Sequence, residues 1–345
     1  MLKLGIIGTN WITEQFVHAA HETGKWELTA VYSRTLEKAN QFGDKFASTS
    51  EFFDNLDDFF AQGSFDTVYI ASPNSLHFEQ AKQAILAGKD VIVEKPACSN
   101  PFEMKQLQRL LDQNPDTFLF EAARHVHEPN FRAVTKAVEG LNVVQGATLT
   151  YAKYSSRYDA VLNGEEPNIF SPDFSGGCVQ DLGVYLVYDA IVWFGMPGSA
   201  EYHATMLTTG VDGKGVAILH YNGFDVTLNL AKNVNSYLPG EIYGLKETIR
   251  MDHSSDLNEV YLDDGAGNKT LLSVPQAENP MLAEANEFAD VLNDKGSNDA
   301  KQLEEDWLAY AVQVNKVLYE LRQSAHIKFK ADRVAEEVEE ENDES

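Results

Sequence analysis

Long apolar stretches are missing from this sequence. No run approaches the ~18 apolar residues that a membrane-spanning helix needs, which argues against a helical membrane protein. Cysteine is nearly missing: only Cys98 and Cys178 occur, with no paired spacing. Neither a disulfide framework nor a zinc or other metal site is expected. Positive charge is scarce, with 27 Lys and Arg against 53 Asp and Glu, a net charge of −26. A surface of that sign repels phosphate backbones and anionic lipid, so nucleic acid and membranes are poor partners. Met1–Gly5 leads straight into a strand pattern. No signal peptide and a cytoplasmic location are therefore expected.

The 345 residues suffice for two domains, and a hydrophobic content of 43% is ordinary for a chain with real cores. Part of the negative charge is local. Residues 331–345 (ADRVAEEVEEENDES) hold eight acids and one Arg, a net of −7, and read as a solvated or disordered acidic tail.

The stretch Asp90–Pro96 (DVIVEKP) organises the rest. Its apolar centre predicts a buried strand of a parallel sheet. Lys95 follows at the carboxyl end of that strand, where ligands bind in open α/β sheets. Pro96 imposes a non-helical turn that holds the ammonium at the mouth of the sheet. Such an ammonium can hold a substrate oxygen or lower the pKa of a neighbouring acid.

Before it, strands and helices alternate. A strand over 3–7, a helix to about Thr23 and a strand over 27–32 form the context of a dinucleotide fingerprint. The fingerprint runs Gly8-Thr9-Asn10-Trp11-Ile12-Thr13. Asn10 replaces the second glycine, and Asn best tolerates the positive φ expected there. The helix N-terminus can still cradle a pyrophosphate. The second strand ends in Ser33-Arg34-Thr35, with no acid for a ribose hydroxyl. A guanidinium suits a 2′-phosphate, hence NADP rather than NAD, although an Arg capping an exposed loop fits the same letters.

Helices are predicted over 35–46 and 51–60 and a strand over 67–71. The turn Ser72-Pro73-Asn74 then faces the cofactor, and Asn74 or Ser75 opens a helix ending at Gly88, with His77 in its first turn, either structural or in direct contact. Pro101 starts a further helix, and a strand over 117–120 completes the series. The pattern is a doubly wound, mostly parallel sheet.

The pattern changes after Glu121. A helix over 129–139 and a strand over 143–153 precede a long loop, 155–176, in which Arg157 and Tyr158 can reach a polar ligand. Gly176-Gly177 then opens a helix to about Phe194, with Asp181 and Tyr185 on one face. A tyrosine near an ammonium can exchange a proton with a substrate hydroxyl. By spacing alone, Tyr185 also fits a helix core and Asp181 a solvated position. Residues 201–272 read as a mostly antiparallel sheet. Helices follow over 281–293 and 303–322, the latter with a core stripe of Leu303, Trp307, Tyr310, Val314, Leu318 and Leu321.

The ordered set resembles the glucose–fructose oxidoreductase / inositol dehydrogenase (Gfo/Idh/MocA) family. It comprises Gly8–Ile12, Ser33-Arg34, Ser72-Pro73-Asn74 through His77, Glu94-Lys95-Pro96, and Gly176-Gly177 with Asp181-Leu182-Gly183-Val184-Tyr185. The last position, often His in that family, resembles the dihydrodiol dehydrogenase and glucose–fructose oxidoreductase branches in being Tyr. The resemblance implies a Rossmann domain over 1–122 that binds NAD(P) through those residues of the first half. It implies a substrate-binding and oligomerising α+β domain over 123–330, with an open, mostly antiparallel sheet. It also implies hydride transfer at a sugar, polyol or diol carbon in a homodimer or homotetramer. Tyr185 would transfer the proton, Lys95 would lower its pKa, and Asp181 would position both. Arg124, His125, Arg157 and Tyr158 are candidates for lining the substrate pocket. A non-catalytic NAD(P)-binding sensor is the alternative, disfavoured by the intact Lys95, Asp181 and Tyr185.

Overall fold

The computed structural model describes residues 1–333. The backbone packs as two compact units. One comprises Met1–Cys98, Phe102–Arg124 and Ala277–Ala309; the other comprises Ser99–Pro101, His125–Gln276 and the described residues from Tyr310 on. The break after Arg124 lies two residues from the boundary read at 122/123. Residues 277–309, read as part of the second domain, pack instead with the first.

The first unit holds a six-stranded parallel sheet in the order β3-β2-β1-β4-β5-β6. The strands are β1 (Leu2–Ile7), β2 (Trp26–Tyr32), β3 (Glu51–Phe53), β4 (Thr67–Ile70), β5 (Asp90–Glu94) and β6 (Leu119–Ala122). Helices α1 (Trp11–Glu22), α2 (Leu36–Gly43), α3 (Leu56–Gln62), α4 (His77–Leu86) and α5 (Pro101–Gln113) connect them. The order reverses between β1 and β4, the switch point at which such sheets bind ligands. Val91, Ile92 and Val93 are fully buried, as their unbroken apolar run requires. Phe16 of α1 stacks on Tyr69 of β4 at 3.9 Å.

Three local expectations are corrected. The helix predicted over 51–60 is the edge strand β3 followed by α3. Phe52 and Phe53 pair with Val31 and Tyr32, and Asn55 starts the helix by accepting from Asp58 N at 3.0 Å. The helix that Asn74 or Ser75 was expected to cap begins as a 3-10 turn, Asn74–Leu76, without a side-chain cap. In α11 (Asn298–Ser324) Leu303 is 44% exposed, so the core stripe begins after it. Its neighbour Glu304 is buried instead, because its carboxyl accepts from Leu119 N at 3.2 Å and so satisfies a strand end. Helix α10 (Leu282–Asn293) joins this unit through Phe288, stacked on Phe120 at 4.8 Å, and through Ala285 O, which accepts from the Trp26 indole.

The second unit holds an eight-stranded sheet in the order β14-β13-β12-β11-β7-β10-β9-β8. These are β7 (Gly146–Ala152), β8 (Ser199–Met206), β9 (Asp212–Tyr221), β10 (Phe224–Ala231), β11 (Gly240–Tyr243), β12 (Thr248–Met251), β13 (Val260–Asp263) and β14 (Lys269–Leu271). All pairs are antiparallel except β7 with β10. Helices α6 (Pro129–Glu139), α8 (Cys178–Asp181) and α9 (Gly183–Phe194) pack on it. The long loop carries a short helix, α7 (Tyr158–Leu162), and 3-10 turns at Asn168–Phe170 and Pro172–Phe174.

Asp332, read as part of a solvated tail, is buried. The guanidinium of the fully buried Arg322 donates to it at 2.8 Å. The rest of the predicted tail, from residue 334, lies outside the described residues. Among the described residues no helix is long and apolar enough to cross a membrane.

Candidate functional site

At the switch point of the first unit, Gly8 ends β1 at φ 104°. A Cβ there would lie 2.7 Å from Ala71 O, so only glycine fits. Asn10 departs from the expectation of a positive φ. Its backbone is extended at φ −92°, and its side chain caps α1. Oδ1 accepts from Ile12 N at 2.9 Å and Thr13 N at 3.1 Å, while Nδ2 donates to Ala71 O at 2.8 Å. The template's second glycine is thus replaced by a cap that also ties the β1–α1 turn to the end of β4. Thr9 is half-buried; Trp11 beside it is 73% exposed and Ile12 packs against the core.

At the end of β2, Ser33 is buried, with its N–H donating to Phe53 O, and Arg34 is exposed. Residues 33–35 hold no acid, and Asp54, which follows Phe53 of the paired strand β3, lies close enough to act on the Tyr32 phenol together with Arg34. At the end of β4 the Ser72 hydroxyl donates to Gln80 Oε1 at 2.7 Å, beside half-buried Pro73 and Asn74. His77 is 1% exposed, with Nε2 2.8 Å from Ser72 O and Nδ1 3.0 Å from Pro96 O. Its imidazole ties the turn after β4 to the turn after β5. Burial lowers its pKa, against the opposing pull of the two carbonyls. Glu94 is buried and accepts from the Tyr69 hydroxyl at 2.6 Å; burial raises its pKa, and the neighbouring Lys95 ammonium pulls it down. Lys95 is half-buried and its bond to Pro96 is cis. Arg124, half-buried at the end of this unit, is among the positive charges that favour the Glu94 carboxylate.

In the second unit the Gly-Gly turn is held by close packing. A Cβ on Gly176 would sit 2.6 Å from Ile169 O, and one on Gly177, at φ 114°, would sit 2.3 Å from Asp212 Oδ1. Asp212 is fully buried and starts α8. It accepts from Cys178 N at 3.0 Å, Val179 N at 2.7 Å and the Tyr202 hydroxyl at 2.7 Å. The helix predicted through Phe194 is interrupted. Asp181 ends α8, and Tyr185 lies in the first turn of α9 after Leu182. The expected four-residue helical spacing therefore crosses a break.

Asp181 meets Lys232, whose Nζ donates to Oδ2 at 2.7 Å and stands 4.7 Å from the centre of the Phe170 ring. Lys232 is 1% exposed, so its charge is matched inside the protein by Asp181. The Tyr185 ring packs on His125 at 4.9 Å and on Tyr151 at 5.4 Å. His125, a candidate pocket residue, is buried, with Nε2 3.4 Å from Asp189 Oδ1. Arg157 is exposed before α7, and the half-buried Tyr158 packs on Tyr154 and Phe170.

The sequence reading missed Lys232, Asp212 and Asp189. The one available signal was Asp189, the single charge in the otherwise apolar Gly183–Phe194. Lys232 and Asp212 stand at strand ends among ordinary polar residues. Among the described residues no group of three or more His, Cys, Asp or Glu is placed to hold a metal ion.

Residues 2–121 match the Gfo/Idh/MocA family model, an oxidoreductase family with an NAD-binding Rossmann fold. An uncharacterised oxidoreductase of Escherichia coli, YgjR, is 38% identical over 97% of this chain and 99% of its own. The NADP(+)-dependent scyllo-inositol 2-dehydrogenase IolU of Bacillus subtilis is 37% identical over 96% of this chain and 100% of its own. A 3-ketoreductase of Actinomadura kijaniata, solved with NADP and TDP-benzene, shares the fold with a TM-score of 0.79 at 19% identity, over 94% of this chain and 97% of its own.

Proposed function

The chain belongs to the Gfo/Idh/MocA family of oxidoreductases, and we propose on that premise that it is an NADP-preferring dehydrogenase of a sugar, polyol or diol. Cyclic polyols are the first class to test. The observation that carries this reading is the full-length similarity to an NADP(+)-dependent scyllo-inositol 2-dehydrogenase. The first unit fits a dinucleotide: the capped N-terminus of α1 lies at the switch point, Trp11 is exposed, and the exposed Arg34 follows β2 in a turn, Ser33–Thr35, that itself holds no acid. Arg34 would pair with the 2′-phosphate, and Gly8–Ile12, Ser33, Ser72–Asn74, His77 and Glu94–Pro96 would form the rest of the binding surface.

When bound, the nicotinamide supplies or accepts the hydride. Tyr185 takes the hydroxyl proton in oxidation and returns it in reduction. Lys95 polarises the reacting oxygen. Asp181, held in place by Lys232, accepts from a substrate hydroxyl. Arg124, Arg157 and Tyr158 are assigned to the substrate side, with His125 behind Tyr185. The chain acts in the cytoplasm. As a dimer or tetramer it would pair through the large sheet of the second unit, where Val216 and Met206 are exposed.

Calorimetric titration with NADPH and with NADH tests the cofactor half. Tighter NADPH binding that weakens at least about tenfold in Arg34→Ala is expected, the loss of a charge-assisted pair. Equal or tighter NADH binding would overturn it. Binding without turnover on a broad panel of sugars, polyols and diols would point to a sensor instead.

A further inference from the structure

Behind Tyr185, in the second unit, helix α9 carries a carboxyl group that packing alone does not explain. Asp189 is fully buried, and neither of its oxygens takes part in a hydrogen bond among the described residues. His125 Nε2 stands 3.4 Å from its Oδ1, and that imidazole is itself 1% exposed. The same imidazole lies on the phenol ring of Tyr185, with centroids 4.9 Å apart and planes tilted by 51°. Its edges meet Phe131 and Tyr188. A histidine from a 3-10 turn (Arg124–His127) and an aspartate from α9 thus converge on the proposed proton-transfer group from its buried side.

We propose that His125 and Asp189 hold one proton between them and that this pair sets how readily the Tyr185 phenol loses and regains its own. Its use in turnover rests on the reading of Tyr185 as the acid/base group. With the proton on the imidazole, the pair is a carboxylate and an imidazolium, and the positive ring lies on the phenol and favours phenolate. With the proton on the carboxyl, both partners are neutral and the phenol gains nothing. The pair is uncharged overall in either form, which is what a site closed to water tolerates. Burial pushes the Asp189 carboxyl well above the usual carboxylate range, so the proton can rest on either partner. His125 and Asp189 are positioning residues: they act through Tyr185.

Other ionisable groups nearby include Tyr188, Tyr151 and His253. The turn that carries His125 adds Arg124, His127 and Glu128, whose N–H donates to His125 O at 3.2 Å. Tyr151 meets Tyr185 edge-on at 5.4 Å, and His253 packs on Tyr151 at 5.3 Å and stands 3.8 Å from Asp256. His253→Ala removes the second imidazole near Tyr185 and leaves the proposed pair intact.

A carbon-13 NMR titration of ring-labelled tyrosine reads the phenol without any substrate. The Tyr185 signal is assigned by its loss in Tyr185→Phe. In Asp189→Asn and in His125→Gln the Tyr185 phenol should ionise at least about one pH unit higher than in the wild type, a tenfold loss of phenolate on that limb. His253→Ala should leave it in place. Using two variants lets one decide if the other fails to fold. An unmoved Tyr185 titration in a folded variant overturns the proposal, and the pair is then only packing. The pH profile of turnover separates this result from the assignment of Tyr185. A moved phenol titration with an unmoved kcat profile keeps the pair and removes Tyr185 from the acid/base role.

Discussion

In the first unit the turns at the sheet's carboxyl edge are held by backbone geometry and short-range polar contacts. Gly8 has no room for a Cβ, Asn10 caps the helix that follows it, and His77 spans two carbonyls. In the second unit the corresponding turn is held by buried charge drawn from distant strands. Asp212 binds the first N–H groups of α8, and Lys232 pairs with Asp181 at its last residue. The two constructions should fail differently. Loss of a neutral cap exposes a few N–H groups that water can reach. Loss of one partner of a buried pair leaves a charge that water cannot reach.

The largest effect is therefore expected from Lys232→Met. Leaving Asp181 without its ammonium should cost about 3 kcal/mol in denaturant unfolding, the lower end for a broken pair because Asp181 is partly exposed. A cost under about 1 kcal/mol, the worth of a surface pair, would erase the contrast. Gly177→Ala comes next. Its positive φ and the Asp212 oxygen 2.3 Å from the new methyl should together cost about 2 kcal/mol.

Glu304 sharpens the contrast from the other side, because it is a buried carboxyl in the first unit without a dedicated cation. Burial raises its pKa from 4.5 to about 7. The fold therefore prefers the protonated form. Its stabilising contribution is complete below pH 4.5 and is lost as pH rises through about 7. Glu304→Gln keeps an acceptor for Leu119 N and should remove that slope. Above pH 7 the variant should be the more stable by about 1 kcal/mol, a melting point higher by about 2 °C. Identical pH profiles would contradict this. An effect of the same size is expected from Asn10→Ala, about 1 kcal/mol for a lost helix cap, read by the same unfolding measurement.

The same contrast explains what could be read from the letters. The doubly wound sheet was legible because strands with apolar centres, such as Val91–Val93, alternate with amphipathic helices. Lys95 was legible because a proline fixes its place at a strand end. The edge strand β3 was not, because three residues carry too little periodicity to oppose a helical reading. Asn10 was misread because the glycine template speaks of backbone angles, whereas the structure solves the turn with a side chain. Leu303 was misplaced in the core stripe: its neighbour Glu304 turns inward to accept from the N–H of Leu119, which helical spacing does not foretell. Lys232 lies 51 residues from Asp181, and His125 and Asp189 join a turn to a helix. Such pairings follow from sheet topology, which local patterns do not carry.

The measurement that tests the central claim most directly is the rate of NADP+ reduction on scyllo-inositol and a panel of sugars, polyols and diols, with wild type, Lys95→Ala and Tyr185→Phe side by side. The account predicts turnover by the wild type on at least one substrate, with a loss in kcat of at least ~10²-fold in each variant. Full turnover in either variant, with cofactor binding intact, would contradict it.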